Sequence, residues 1–378
     1  MKKATFYLCL FLIVFTNKIS AQELVLDKNI DTIVRQILKE HNLPGLNFSI
    51  IYKDGNQQDY SVGLSDVENK IPLNINHTLF SGSIGKTYAA ALVMKLVDEN
   101  KIDLKQKLLH YFPNTDWLKK LPNANNISIE MLLQHTSGLP RYVLKPEIWD
   151  ELSNNPDKVW TYHDRLSVIF NEAAVHEAGK DWEYSDTNYI LLGMLIEEVT
   201  GENYYDLIDS IILKPYNLKN THVSLRRDIP NLSVAYSQLP PEFHMPNIVV
   251  VDGKYVFNPQ VEWTGGGFAC TTSDLAKWAK IYYEGKLFSN GALKQITTTN
   301  SNSLKEKRSD PYGMGSFIYN TKHGTAFGHT GFMPGFNSIF IYYKDLEVAA
   351  AIQFNSDYAS SKINMNNLLH DLISILIK

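Results

Sequence analysis

The chain has 378 residues, of which 44% are hydrophobic and 20% are charged, and its formal net charge at pH 7 is −4. This composition is typical of globular proteins and excludes a disordered or fibrous chain. The negative net charge argues against nucleic acid as a partner.

The chain begins with the pattern of a secretory signal peptide. Two lysines precede an apolar run over residues 6–15, and Ala21 supplies the small residue expected at a cleavage site. The run is shorter than the roughly 20 residues needed to span a bilayer. We therefore expect residues 1–21 to be removed and residues 22–378 to form a periplasmic or secreted domain without an integral membrane segment.

The cysteines and histidines indicate neither a disulfide nor a metal site. Cys9 lies in the predicted leader, which leaves Cys270 without an intrachain partner. The eleven histidines do not show the His-Glu-x-x-His spacing of zinc hydrolases. The sequence therefore indicates no metal or other cofactor, and stability must come from the burial of apolar side chains.

Both ends of the mature chain combine a helix with antiparallel strands. Apolar residues at helical spacing predict an amphipathic helix over 28–41, and alternation on either side of an Asp-Gly turn at 54–55 predicts a hairpin. Near the other end, strands are predicted over 338–343 and 348–354. A closing helix is predicted over 365–376.

The middle of the chain is predicted to be mainly helical, with helices over about 89–97, 189–199 and 203–213. If the two ends join in one sheet, the fold is α+β: an antiparallel β-sheet flanked by helices, with a mainly helical second lobe over about 90–250. A cleft between the sheet and this lobe is the natural place for a site.

Ser83 and Lys86 lie at the predicted start of the first of these helices. A phosphate-binding loop is one interpretation, because Gly85-Lys86-Thr87 matches its end, but Phe80 replaces the glycine that this loop needs. The second interpretation is Ser-x-x-Lys, in which residues i and i+3 share a helix face and the amine reaches the hydroxyl. Lys86 would then be the base, provided that burial lowers its pKa enough to make it neutral. The pattern alone also fits a helix-start serine followed by a solvated lysine.

Two later segments offer further candidate groups. Tyr184 precedes Asp186 at the start of the helix over 189–199, and a phenol near a lysine can move protons. The alternative is a buried aromatic with Asp186 as a helix cap. His329, Gly331 and Phe332 precede the strand at 338, where glycine lets backbone approach a ligand or an oxyanion. The alternative there is a turn with an exposed histidine.

Taken in order, Ser-x-x-Lys at 83–86, Tyr-Ser-Asp at 184–186 and His-Thr-Gly at 329–331 resemble the three motifs of the serine β-lactamase and penicillin-binding protein superfamily. The chain most resembles the branch of class C β-lactamases, D-alanyl-D-alanine carboxypeptidases and esterases. The resemblance covers roughly residues 28–375 and includes a His-Thr-Ser-Gly-Leu segment at 135–139.

The resemblance implies an acyl-enzyme on Ser83, with Lys86 and Tyr184 moving protons and the backbone N–H groups of Ser83 and Phe332 forming an oxyanion hole. The residues that it implies as substrate contacts are Asp186, His329, Gly331 and Phe332.

Two positions depart from the pattern of the family. Many relatives have Asn where this chain has Asp186, and a carboxylate beside Lys86 favours the charged ammonium. Either Asp186 turns away from Lys86, or Tyr184 carries more of the proton transfer. Class C β-lactamases have Lys where this chain has His329, and histidine is largely neutral above pH 7. If a cationic His329 holds a substrate carboxylate, catalytic efficiency should fall above its pKa.

We therefore expect a secreted serine hydrolase that acts through acyl-Ser83 on a D-amino-acid peptide of the D-Ala-D-Ala type, or on an ester or amide. A β-lactamase is an alternative that His329 weakens. A non-hydrolytic penicillin-binding or sensor protein is a second alternative, which Asp186 motivates. The expected partner is a small molecule or a peptidoglycan peptide. An α/β-hydrolase is not expected, because the sequence lacks Gly-x-Ser-x-Gly.

Overall fold

The structure is a computed structural model that describes residues 21–305 and 310–377. The signal peptide predicted over residues 1–21 lies outside the described residues apart from Ala21. The helices of the described part are α1 (Ala21–His41), α2 (Gly85–Asp98), α3 (Leu108–Tyr111), α4 (Ile129–Leu133), α5 (Pro146–Asn154), α6 (Tyr162–Leu166), α7 (Asp186–Thr200), α8 (Tyr204–Ile208), α9 (Thr272–Tyr283), α10 (Asn290–Ile296), α11 (Ala359–Lys362) and α12 (Met365–Leu376).

The strands of the described part form three antiparallel sheets. They are β1 (Gly45–Ile51), β2 (Gln57–Asp66), β3 (Ile71–Pro72), β4 (Leu79–Phe80), β5 (Thr221–Val223), β6 (Val250–Val251), β7 (Lys254–Tyr255), β8 (Phe268–Cys270), β9 (Phe317–Thr321), β10 (Gly324–Met333), β11 (Phe336–Tyr343) and β12 (Val348–Phe354). The largest sheet has the order β3-β2-β1-β12-β11-β10-β9, and β4-β8-β5 and β6-β7 form the other two.

The two ends of the chain meet in the centre of the large sheet. β1 pairs with β12 over Leu46↔Phe354 to Ile51↔Ala349. The hairpin predicted around residues 54–55 is the β1–β2 connection, and the predicted strands at 338–343 and 348–354 are β11 and β12. The α+β fold class predicted from the sequence is therefore confirmed.

One face of the large sheet is covered by the two terminal helices. Phe48 and Ile50 of β1 pack in one buried cluster with Val34 of α1 and with Leu369 and Leu372 of α12. These side chains repeat with period 2 on the strand and at helical spacing on the helices, which is why the sequence pattern predicted them. Burial of each such side chain contributes about 1.5–3 kcal/mol.

The other face of the sheet packs against α9 and, beyond it, against the helical part of the chain. The Ser49 hydroxyl of β1 donates a hydrogen bond to Thr272 Oγ1 of α9 at 2.9 Å. The segment predicted as a lobe, about 90–250, contains helices α3 to α8 and strand β5. Among the described helices, none is long and apolar enough to cross a membrane. Strand β4 of the small sheet β4-β8-β5 ends at Phe80, three residues before Ser83.

Candidate active site

Ser83 and Lys86 come together at the start of α2. Ser83 lies in a 3₁₀ turn, Gly82–Ile84, that leads directly into α2, and Lys86 is the second residue of that helix. Lys86 Nζ lies 3.1 Å from Ser83 Oγ. The lysine is fully buried, whereas Ser83 is partly exposed on the wall of a cleft. The hydroxyl is therefore accessible to a small molecule and the amine is not.

The Lys86 side chain is held as an ammonium. Besides Ser83 Oγ, Nζ donates to Asp186 Oδ1 at 2.7 Å and to the Gly265 carbonyl at 2.8 Å, which uses all three protons. Burial alone lowers the pKa of Lys86, but the charges of Asp186, Tyr184 and Glu262 outweigh it and the net pKa is raised. The condition for Lys86 to act as the base, a neutral amine, is therefore not met in the free protein, because Asp186 points at the lysine and does not turn away.

Arg141 is a second cation on Asp186, and the sequence analysis missed it. Its Nε and Nη2 donate to Asp186 Oδ2 at 3.0 and 2.8 Å. Burial raises the pKa of Asp186, but Arg141 and Lys86 outweigh burial and hold it well below its usual range. The sequence did contain a signal for such a cation, because the carboxylate of Asp186, in a motif expected to be buried, needs a compensating positive charge. Arg141 directly follows the loop over 135–140 and was a candidate for that charge.

Tyr184 brings a phenol to this ion-pair cluster. Lys86 Nζ lies 5.0 Å from the centroid of its ring, and Arg141 Cζ lies 5.3 Å from it. The Tyr184 hydroxyl is buried, and no described residue makes a hydrogen bond to it within 3.5 Å. Burial raises the pKa of Tyr184, and Lys86 partly opposes this rise. The phenol is therefore neutral, and its oxygen is free to exchange a proton.

The loop over 135–140 positions Tyr184. His135 has a positive φ of 59° and is fully buried. Its Nδ1 accepts a hydrogen bond from the Ser185 backbone N–H at 3.2 Å and lies 3.0 Å from Asn188 Nδ2, while its ring packs 4.3 Å from the Tyr184 ring. Burial lowers the pKa of His135 well below its usual value. A neutral imidazole therefore fixes the start of α7, where Tyr184 and Asp186 lie.

His329 lies in β10 and is buried rather than exposed in a turn. Its Nδ1–H donates to the Thr330 carbonyl at 2.6 Å, and Nε2 accepts from the Tyr312 hydroxyl at 3.1 Å. These two bonds assign the neutral tautomer. Burial lowers the pKa of His329 to about 3. The site does not favour a cationic His329 that holds a substrate carboxylate, because both ring nitrogens are engaged and burial opposes the charged form. The fall in catalytic efficiency above the pKa of His329 stays a prediction.

Glycines allow β10 to lie against the turn that carries Ser83. A Cβ on Gly331 would overlap the Ser81 carbonyl oxygen, and a Cβ on Gly82, whose φ is +52°, would overlap the Phe332 backbone. The Phe332 backbone consequently lies beside the Ser83 turn. This is the arrangement that the predicted oxyanion hole needs.

The cleft in front of Ser83 has a volume of about 300 Å³. Its polar walls include Arg141, Asp186 and Glu262, and the ring of Phe332 is 42% exposed at its edge. The apolar walls are Val143, Leu144, Trp149, Leu239, Phe243 and Pro334. A pocket of this size and polarity suits a small, largely apolar substrate with a few polar groups.

Glu262 is the second group that the sequence analysis missed. Its neighbour Trp263 is buried, with its ring 5.0 Å from that of Tyr162. Burial, together with the charge of Asp186, raises the pKa of Glu262 to about 7.

Within residues 21–305 and 310–377, no cluster of three His, Cys, Asp or Glu side chains could hold a metal ion.

Comparisons with known proteins agree with this architecture. The family model described as Beta-lactamase matches residues 30–373. A D-stereospecific amidohydrolase from Streptomyces sp. superposes with a TM-score of 0.75 and 26% identity over 88% of this chain and 96% of that chain. The D-amino acid amidase from Ochrobactrum anthropi SV3, complexed with L-phenylalanine amide, superposes with a TM-score of 0.78 over 93% of this chain and 98% of that one; at 22% identity it shows the fold alone.

Two curated relatives are longer than this chain. Protein flp of Staphylococcus aureus strain MW2 is 23% identical over 354 residues, which are 90% of this chain and 66% of that protein. Penicillin-binding protein 4* of Bacillus subtilis strain 168 is 25% identical over 339 residues, 84% of this chain and 69% of that protein. The chain thus spans about two thirds of the length of these relatives. It belongs to the beta-lactamase family, within the serine hydrolase superfamily of β-lactamases and penicillin-binding proteins.

Proposed function

We propose that this protein is a serine hydrolase that cleaves a small amide or ester of an amino acid through an acyl-enzyme on Ser83. The observation that carries the proposal is the 3.1 Å contact between Lys86 Nζ and the accessible Ser83 hydroxyl at the floor of the cleft. The similarity to a D-stereospecific amidohydrolase from Streptomyces sp. and to a D-amino acid amidase from Ochrobactrum anthropi SV3 makes D-configured substrates the first to test.

In the acylation step, Ser83 Oγ attacks the carbonyl carbon and the bond to the leaving nitrogen or oxygen breaks. The serine proton passes to the Tyr184 oxygen, and the phenol proton passes to the leaving group, so that no net charge accumulates on the phenol. Tyr184 suits this relay because its hydroxyl makes no hydrogen bond within 3.5 Å to any described residue, while Lys86 and Ser83 are near enough to oppose the rise that burial causes in its pKa. Attack by water reverses the same proton path and releases the acyl group.

Lys86 acts in this mechanism chiefly as a fixed positive charge. Its ammonium lies where negative charge develops on Ser83 Oγ, and Asp186 and the Gly265 carbonyl hold it there. Asp186 cannot readily take the lysine proton, because Arg141 also stabilises the carboxylate. The backbone N–H groups of Ser83 and Phe332 stabilise the oxyanion.

The first experiment is intact-mass analysis after incubation with p-nitrophenyl acetate or a penicillin. Wild type should gain the mass of one acyl group, and Ser83→Ala should gain none. Equal labelling of the Ala variant would refute the assignment of the nucleophile. Thermal unfolding of both proteins checks that the variant is folded.

A penicillin-binding protein with slow or no turnover is the second candidate, and the Lys86–Asp186 ion pair favours it. A lysine that stays protonated is a poor base for activating the deacylating water. Stoichiometric acylation without sustained product release would support this candidate, whereas many turnovers per enzyme would exclude it.

A β-lactamase is disfavoured, because His329 is neutral and both of its ring nitrogens are hydrogen-bonded. The export predicted from residues 1–21 stays a prediction, which N-terminal sequencing of the mature protein tests.

A further inference from the structure

Glu262 is a carboxylate in the cleft that the proposed chemistry does not use. It is partly buried and lines the same 300 Å³ cavity as Ser83, Arg141 and Asp186. No described residue makes a hydrogen bond or an ion pair with its side chain. An unpaired carboxylate in a low-dielectric site is costly unless a ligand supplies the missing partner.

The cations near Glu262 are committed elsewhere. Lys86 uses its three protons on Ser83, Asp186 and the Gly265 carbonyl. Arg141 directs Nε and Nη2 to Asp186. Arg165 donates to the backbone carbonyls of residues 160, 161, 260 and 261. These three cations act on Glu262 through space only, which leaves its oxygens available for hydrogen bonds from a ligand.

The glycines after Glu262 bring its carboxylate close to the reacting groups. A Cβ on Gly265 would lie 3.7 Å from Glu262 Oε2 and 3.8 Å from Lys86 Nζ, and a Cβ on Gly266 would lie 2.9 Å from Glu262 Oε2. The carboxylate therefore lies beside the catalytic lysine with no side chain from residues 265 or 266 between them.

The charge balance of the cleft shows which ligand group fits. Near Glu262, Lys86, Arg141 and Arg165 carry three positive charges against one negative charge on Asp186, so that without Glu262 the site would repel a cation. Ionised Glu262 offsets most of this excess, balances Lys86, Arg141 and Asp186 around Ser83, and places its negative charge at the cavity wall, which Arg165 does not line. The same charge would repel a substrate carboxylate, as found at the end of a D-Ala-D-Ala peptide.

We infer that Glu262 binds the ammonium group of the substrate, so that the protein acts on compounds with a free amino group beside the scissile bond, such as amino-acid amides and the N-terminal residue of a peptide. This inference rests on the proposed acyl transfer at Ser83 and narrows its substrate class from amino-acid amides and esters in general to those whose amino group is free.

The test compares D-phenylalanine p-nitroanilide with its N-acetyl derivative in wild type and in Glu262→Gln. A charge-assisted hydrogen bond is worth a factor of roughly 10 to 150, so wild type should prefer the free amine by at least about tenfold in kcat/KM. Glu262→Gln should remove most of this preference by raising KM for the free amine. Glu198→Gln, which changes an exposed carboxylate on α7, is the matched control and should keep the wild-type preference.

Equal use of both anilides by wild type would overturn the inference. So would an equal loss for both substrates in Glu262→Gln, because that result assigns Glu262 to the chemistry. Acylation of Ser83 by p-nitrophenyl acetate is measured on the same preparations. If Ser83 is acylated but wild type shows no preference for the free amine, only the role of Glu262 is refuted. If Ser83 is not acylated, the proposed function itself is refuted.

The pH dependence of wild type gives a second test that needs no variant. The pKa of Glu262 in the free protein is raised to about 7, chiefly by burial, with Asp186 raising it further and Lys86, Arg141 and Arg165 opposing. KM for the free-amine anilide should therefore fall as pH rises from about 5.5 to 7 and Glu262 ionises, and rise again above about pH 7.7 as the substrate ammonium loses its own proton. KM for the acetylated anilide should not share this trend, and a shared trend would contradict the inference.

Discussion

The Lys86 ammonium lies 2.7 Å from the Asp186 carboxylate, in a position where both side chains are almost inaccessible to solvent. A buried ion pair is stable only when its geometry is good and its remaining hydrogen-bonding atoms are satisfied. Both conditions hold here, because Arg141 takes the second oxygen of Asp186 and the Gly265 carbonyl takes a proton of Lys86. This pair therefore decides the protonation state of the lysine that contacts Ser83.

Asp186→Asn should change how hydrolysis depends on pH. Burial lowers the pKa of Lys86 and Asp186 raises it, so removal of the carboxylate charge should make Lys86 lose its proton at lower pH. A neutral Lys86 can accept the Ser83 proton. Between pH 5 and 10, we expect kcat/KM of Asp186→Asn to begin to rise with pH at a value at least about one pH unit lower than in wild type. Asp59→Asn, at an exposed position, is the control, and superimposable profiles for Asp186→Asn and wild type would contradict this account.

Tyr184→Phe should separate activity from stability. The lost hydroxyl has no hydrogen-bond partner among the described residues, so the free energy of unfolding should change by less than about 0.5 kcal/mol. Loss of a proton relay should lower kcat by roughly 10²- to 10⁴-fold. Tyr204→Phe is a matched control, because it removes another buried, unpartnered hydroxyl on α8, away from the cleft. The relay would be excluded if both variants kept wild-type kcat in a continuous p-nitroanilide assay.

Gly331→Ala should damage the oxyanion hole. The added methyl group would overlap the Ser81 carbonyl oxygen, so β10 must move away from the Ser83 turn. Loss of one oxyanion donor lowers kcat by about 10²- to 10³-fold in a serine hydrolase. Gly291→Ala in α10 is the control, since its Cβ would meet only Ser289 Oγ at 3.5 Å and helix propensity favours alanine. A Gly331→Ala protein with normal kcat would show that the Phe332 backbone does not take part.

Acid should destabilise the fold through its buried histidines. The pKa of His329 is about 3 in the folded protein because of burial, against about 6.5 in the unfolded chain. The unfolded state therefore binds more protons between these values, and stability is lost as pH falls from 6.5 towards 3, by at most about 1.4 kcal/mol per pH unit for one such group. His135 acts in the same direction.

Urea unfolding at pH 7, 6, 5 and 4.5 measures this slope. His329→Gln should reduce the fall in stability with acid, even though it also loses the bond from Tyr312 and is less stable at pH 7. His110→Gln, an exposed control on α3, should keep the wild-type slope. Identical slopes for wild type and His329→Gln would mean that folding does not lower the pKa of His329, which would contradict this account.

Local sequence patterns determined much of the fold, because periodicity reflects which side chains are buried. The repeat in α1, the alternation in β1 and the apolar face of α12 each follow from one element packing on one neighbour. The helix predicted over 203–213 is shorter as α8, which ends at Ile208 and continues as a π-helical turn over Asp209–Leu213. Hydrophobic spacing does not distinguish these two backbone forms.

The sequence alone also predicted the contact between Ser83 and Lys86, since the two residues are three apart and a helix start brings them together. Only the tertiary structure decided the charges. Asp186, Arg141 and Glu262 come from three distant segments, and the protonation of Lys86 depends on their separation through a low-dielectric interior. Burial likewise decided that His329 is neutral. A pKa depends on distances and solvent exposure in three dimensions, which the order of residues along the chain does not contain.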